Sequence, residues 1–263
     1  MKLANRSDIN KIILFLKENV EHCIYIYIDI VKYGVEHSDI KLWYSETNKE
    51  INGVVMKYYD SFQLFFVDVE QDKQEICRIL EENPVKTISG NEELIKAIEK
   101  YFSDTYVANY GIVVKETKYK KLPGFDKVEP ASISDCEAIA HLMCQDEEFG
   151  NNYEETELAR QLKDRMQTGM GKSFILRENG EIVGHVATFA EVDDLVVQSG
   201  LIVSKKCKNP FSGLILHEYM KSVSLDAGKT VFAFRIKEEM QKYEKSPGTI
   251  ICGNYGKLTK VGE

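Results

Sequence analysis

The chain contains no apolar run approaching the ~20 residues that a membrane-spanning helix needs. Ile12 to Leu16 stops at Lys17, Glu18 and Asn19, Cys23 to Ile28 is closed by Asp29, and no signal-peptide cleavage pattern follows either run. An excess of basic residues is also missing: 34 Lys+Arg stand against 42 Asp+Glu, a net charge of -8. That balance argues against the basic face that a nonspecific nucleic-acid binder needs, and leaves room for a local basic patch. Paired cysteines are absent as well. Cys23, Cys77, Cys136, Cys144, Cys207 and Cys252 are scattered with no CxxC spacing, which excludes a disulfide framework and a cysteine-ligated metal. The expectation is a cytoplasmic protein with free thiols, without metal, membrane or nucleic-acid partners.

Familiar phosphate and metal motifs fail on a single residue each. Gly171-Lys172-Ser173 resembles the end of a P-loop, but Met166 stands where the first glycine belongs. Gly169 and Gly171 begin a dinucleotide fingerprint that Phe174 breaks. His217-Glu218 begins a zinc-protease motif whose second histidine is replaced by Lys221. Asn5-Arg6-Ser7 is a glycosylation sequon without meaning outside secretion.

What remains is ordinary globular composition, 43% hydrophobic and 29% charged over 263 residues, enough for two domains of roughly 100–150 residues. The second half reads clearly. Ser132 to Phe149 has a helical apolar stripe at Ile133, Cys136, Ile139, Ala140, Met143 and Cys144, with Ser132 or Ser134 as cap. Glu154 to Thr168 is a second helix. Strands follow at Ser173–Arg177, Glu181–Ala190 and Leu195–Val203, the first two joined by Asn179-Gly180. Ser212–Leu225 is a helix, Thr230–Ile236 a strand, Ile236–Lys245 a short helix, and Thr249–Cys252 with Tyr255–Val261 a last hairpin. Leu195 to Ile236 should form a parallel strand–helix–strand crossover.

The first half repeats this order. Helices are expected at Asp8–Val20 and His22–Tyr33, although Ile24-Tyr25-Ile26-Tyr27-Ile28 also reads as a strand. Lys41–Ser45, Val54–Tyr58 and Gln63–Val67 are strands, with Asn52-Gly53 as a turn. Asp72–Glu82 is a helix, Val85–Ser89 a strand, Asn91–Phe102 a helix and Tyr106–Lys115 a strand. The pattern is one fold used twice, joined by Thr117–Lys127 with its lysines 118, 120, 121 and 127.

Three stretches carry a resemblance to a known family: Phe174 to His185, Leu201-Ile202-Val203 with its following polar loop and helix, and Glu238 to Ser246 with Tyr243. The second half resembles the GNAT acetyltransferases, and the whole chain is similar to a tandem GNAT protein with a degenerate first half. The resemblance implies an α/β (α+β) fold of two GNAT-like domains, 1–120 and 128–263, each a mixed, mainly antiparallel sheet flanked by helices. It implies transfer of an acyl group, acetyl first, from acetyl-CoA or another acyl-CoA directly to a small-molecule or peptide amine. Leu201, Ile202 and Val203 would offer a strand edge to the pantetheine amides. Lys208, Asn209, Phe211, Ser212, Gly213 and Leu214 would form the pyrophosphate loop at a helix start, with Lys205 and Lys206 nearby. Tyr243 would protonate the departing thiolate, and Glu191 would serve as base ahead of Asp193 and Asp194; His185 reads as structural.

The loop departs from the family pattern, because Lys208 replaces an Arg or Gln and Phe211 replaces a glycine, leaving Gly213 as the match. An inactive acyl-CoA-binding or protein-interaction module is therefore the rival expectation. In the first half, Asp68-Val69-Glu70-Gln71-Asp72 stands where the loop should be, and like-charge repulsion speaks against CoA there.

Overall fold

Residues with alternating and helical apolar periods segregate here into strands and the helices that cover them. The computed structural model describes residues 1–146, 150, 153–244 and 246–261. They fall into two compact units: Met1–Val114 with Arg235–Glu244 and the chain from Ile251 onward, and Lys115–Phe234 with residues 245–250.

The first unit contains β1 (Lys2–Leu3), α1 (Ile9–Glu18), α2 (Val20–Tyr33), β2 (Ile40–Thr47), β3 (Glu50–Tyr58), β4 (Ser61–Phe66), α3 (Lys73–Glu82), β5 (Thr87–Asn91), α4 (Glu92–Phe102) and β6 (Tyr106–Glu116). β1 to β4 pair antiparallel in sequence, and β4 pairs β5 in parallel. Ile76, Ile79 and Leu80 of α3 and Leu94, Ile95 and Ile98 of α4 bury against Phe62, Leu64 and Ile88 of the sheet. The ambiguous Ile24–Ile28 stretch is helical, with non-helical backbone at Cys23. Ile24, Ile26, Tyr27, Ile28 and Ile30 are all buried, so this helix has no polar face to betray its period.

The second unit has β7 (Val128–Pro130), α5 (Cys136–Cys144), α6 (Glu155–Gln167), β8 (Lys172–Glu178), β9 (Glu181–Val192), β10 (Leu195–Val203), α7 (Ser212–Asp226) and β11 (Thr230–Ile236). β7 to β10 pair antiparallel in sequence and β10 pairs β11 in parallel, the same scheme as in the first unit. Successive β8 residues show two covered faces. Phe174 and Leu176 pack with Ile215, Leu216 and Met220 of α7, while Ile175 packs with Ile139, Met143, Leu158 and Leu162 of α5 and α6. A capping box of Ser132 and Asp135 opens the turn leading into α5. Residues 147–149, expected to end that helix, lie outside the described residues.

Several expectations are corrected. The turn between β2 and β3 is Asn48-Lys49, both with positive φ, not Asn52-Gly53. Gly53 lies within β3, where an added Cβ would fall 2.1 Å from the Phe66 ring. The last hairpin is one strand, β12 (Thr249–Lys260), preceded by a 3-10 turn and α8 (Met240–Glu244). β12 pairs antiparallel with β5, Tyr255 opposite Asn91 and Thr259 opposite Thr87. The division at 1–120 and 128–263 thus differs from the observed units, because the free edge of β5 recruits a strand far along the chain. The joining segment is docked rather than loose: the Tyr119 hydroxyl donates to Asp226 at 3.1 Å, and Leu122 and Phe125 pack on the second unit's core. Among the described residues, no helix is long and apolar enough to cross a membrane.

Candidate functional site

The parallel ladder between β10 and β11 runs from Leu195 opposite Thr230 to Gln198 opposite Ala233. Beyond that point β10 follows only β9, and its register slips between Ser199 and Ile202. Gly200 sits in this bulge with φ +63°, a backbone state that favours glycine. Its carbonyl accepts from His185 Nδ1 at 2.9 Å, and the Ser173 hydroxyl lies 3.1 Å from Nε2. Burial drives the His185 pKa down to about 4, against the opposing pull of the Gly200 carbonyl. The ring is thus neutral, donates from Nδ1 and accepts at Nε2, and pins the bulge. Leu201, Ile202 and Val203 follow it; Leu201 is exposed, while Ile202 packs towards α5 and α6 and Val203 towards α7.

From Val203 the chain turns into the start of α7. The carboxylate of Glu178 takes the Lys208 N–H at 3.3 Å and the Cys207 thiol at 3.5 Å. Asn209 Oδ1 accepts the Phe211 N–H at 3.0 Å, and its carbonyl accepts the Ser212 N–H at 3.1 Å. The buried Ser212 hydroxyl lies 3.2 Å from the Cys207 sulfur. Among the described residues the N–H groups of Gly213 and Leu214 have no acceptor. A Cβ at Gly213 would meet only Val203 Cγ2, at 3.6 Å, so the fold does not require this glycine. Phe211 and Leu214 expose their side chains, and Lys205, Lys206 and Lys208 are exposed beside them.

Glu191 lies at the far end of β9, opposite Val196, whereas the loop leaves from the Gly184–Val203 end. Lys229 is 2.6 Å from its carboxylate, Lys172 is 3.4 Å away, and the Thr188 hydroxyl donates at 3.2 Å. Burial alone would raise its pKa, but the two ammonium groups outweigh that and hold it below the usual carboxylate range. A carboxylate so held is a weak proton acceptor. Tyr243 stands on α8 in the first unit, its ring centre 5.6 Å from the Arg235 guanidinium carbon.

Gln198 escaped the sequence reading, and His217 entered it only in the discarded zinc-protease motif. Gln198 is buried, and its Nε2 lies 2.7 Å from Nδ1 of His217 on α7. The signal was a lone carboxamide in the run Leu195-Val196-Val197-Gln198. His217 in turn faces Glu116 at 3.9 Å, and Glu116 is met by Lys221 at 3.6 Å and by the Thr249 hydroxyl at 2.9 Å.

The corresponding loop of the first unit follows β4, which pairs β5 from Ser61 opposite Thr87 to Leu64 opposite Gly90. There Asp72, at the start of α3, accepts from Ser45 Oγ at 2.6 Å and Asn52 Nδ2 at 2.8 Å, and Asn52 also holds the Asp68 carbonyl and N–H. A carboxylate already occupies the helix start.

No protein-family model matches the chain, and no curated protein matches its sequence. Solved structures do match. A Drosophila protein shares 11% identity over 99% of this chain and 98% of its own, with a TM-score of 0.68. An acetyltransferase from the GNAT family of Colwellia psychrerythraea shares 11% identity over 99% of both chains, TM-score 0.59. A tandem GNAT protein from the clavulanic acid biosynthesis pathway shares 7% identity over 98% of this chain and 96% of its own, TM-score 0.56. At such identities the likeness is one of fold: along nearly its whole length, the chain has the fold of GNAT acetyltransferases and of a tandem GNAT protein.

Proposed function

We propose that this chain transfers an acyl group, acetyl first, from an acyl-CoA to an amine, with the thioester held by the second unit. The observation that carries the reading is the parting of β10 from β11 after Gln198 and Ala233, leading to a helix start whose Gly213 and Leu214 N–H groups are unspent. The edge of Leu201, Ile202 and Val203 offers main-chain partners to the pantetheine amides. The N–H groups of Gly213 and Leu214, the helix dipole, and the charges of Lys205, Lys206 and Lys208 suit the pyrophosphate. Asn209, Ser212 and the backbone of Phe211 shape that turn. In the reaction the amine lone pair attacks the thioester carbonyl, the C–S bond breaks, and the proton that the amine nitrogen sheds passes through water to the departing thiolate. Glu191 holds Lys229 and Lys172 rather than acting as base. The first unit, with Asp72 at its own helix start, leaves CoA to the second. The protein works in the cytoplasm without nucleic-acid or membrane partners.

A second reading, an inactive acyl-CoA-binding or interaction module, draws on Glu178, whose carboxylate already consumes the Lys208 N–H. Calorimetric titration with acetyl-CoA and free CoA decides between them. Micromolar binding of acetyl-CoA is expected, weakened at least tenfold in Gly213→Trp. Glu191→Gln should retain turnover. A folded protein that binds no acetyl-CoA leaves the interaction module.

A further inference from the structure

Buried polar atoms without partners are rare in native structures, and each asks for an explanation. Among the described residues of the second unit, the unpartnered one is Gln198 Oε1, on a side chain only 3% exposed. Gln198 is also the last residue of the β10–β11 ladder, opposite Ala233, so the orphan belongs to the place where the two strands begin to part.

The orientation of this carboxamide follows from its neighbours. His217 Nε2 faces the carboxylate of Glu116 at 3.9 Å, which favours the ring proton on that nitrogen. Nδ1 then carries a lone pair and takes the Gln198 amide N–H at 2.7 Å. The carboxamide oxygen is left without a partner from the described residues. The imidazole stands between this oxygen and Glu116, and Glu116 shares the Lys221 ammonium, 3.6 Å away, with Glu218, 2.6 Å from it.

Resting on the acyltransferase reading above, we infer that Gln198, held by His217, is a positioning residue for the acyl acceptor, taking one N–H of a nitrogen nucleophile that is uncharged at neutral pH, such as an arylamine or a hydrazide. A buried carboxamide can orient an N–H. It offers no counter-charge to an alkylammonium, which would lose its hydration there without compensation. The net charge of the chain points to cationic acceptors in general; the local chemistry of this seat points the other way.

The test combines two readouts on the full chain. Calorimetry gives the acetyl-CoA Kd, and thiol release from acetyl-CoA gives kcat/KM for aniline, benzohydrazide and benzylamine. The wild-type protein should favour the two uncharged acceptors at least tenfold over benzylamine. Gln198→Met, nearly isosteric and apolar, should lose about tenfold in kcat/KM towards them with the acetyl-CoA Kd within twofold. Gln198→Glu should move the preference towards benzylamine, a change that loss of packing does not produce. The inference is overturned if the wild type prefers benzylamine, or binds acetyl-CoA but turns over none of the three. It is equally overturned if Gln198→Met shifts only the acetyl-CoA Kd, which would make Gln198 a cofactor contact. Absence of acetyl-CoA binding would instead remove the acyltransferase reading, and this inference with it.

Discussion

A fully buried imidazole such as His185 titrates only at a cost, and the sign of that cost is fixed. Its pKa in the folded chain is about 4, against roughly 6.5 in an unfolded one. Above the latter value both states are neutral and pH has no effect through this group. As pH falls from about 6.5 to about 4, the unfolded chain takes up the proton first and stability drops, by roughly 3 kcal/mol in all. The urea midpoint of the wild type should therefore decline over this window more steeply than that of His185→Asn, whose profile lacks this contribution; parallel profiles would contradict a neutral buried ring. The sequence placed His185 in a strand between Gly184 and Val186 and allowed its structural reading, but not its partner. The Gly200 carbonyl reaches it only because β10 bulges. The setting of Glu191 was hidden for a related reason: Lys172 and Lys229, 19 residues before it and 38 after it, meet its carboxylate only in the folded sheet.

At the scale of elements, local pattern was a good guide where one face is buried and a poor one where a single contact decides. The amphipathic helices α3, α4 and α6 fall within a residue or two of their expected bounds. The Asn52-Gly53 pair carries the strongest short turn signal, yet the chain turns at Asn48-Lys49, since the Phe66 ring claims the space over Gly53 and Asn52 ties down the Asp68 loop. Two substitutions test this with opposite signs. Gly53→Val should destabilise by about 1–3 kcal/mol, because the ring must move. Lys49→Gly, which relieves a side chain at φ +71°, should stabilise by up to about 1 kcal/mol. Denaturant midpoints of the two variants measure both.

For the whole molecule, the fold class and its repetition were legible, since each half spells out the same order of strands and helices. The exchange of β12 was not, because strand pairing is chosen by an available edge rather than by distance along the chain. Leu258 of β12 is buried in the first unit's core, and a Cβ at Gly256 would sit 2.7 Å from Ile95 of α4. Deleting Ile251–Val261 should therefore strip hydrogen-exchange protection from Thr87–Phe102, while β8 and β9 keep theirs. Equal loss in both units would show that they unfold as one.

The return of β12 to β5 also sets a timetable. On the ribosome the first unit is made early, but the edge of β5 stays open until the chain has grown from Asn91 past Thr249. At ~5–20 residues per second that interval is on the order of 8–30 s. During that time a nascent strand edge is available to chaperones, or to the wrong neighbour.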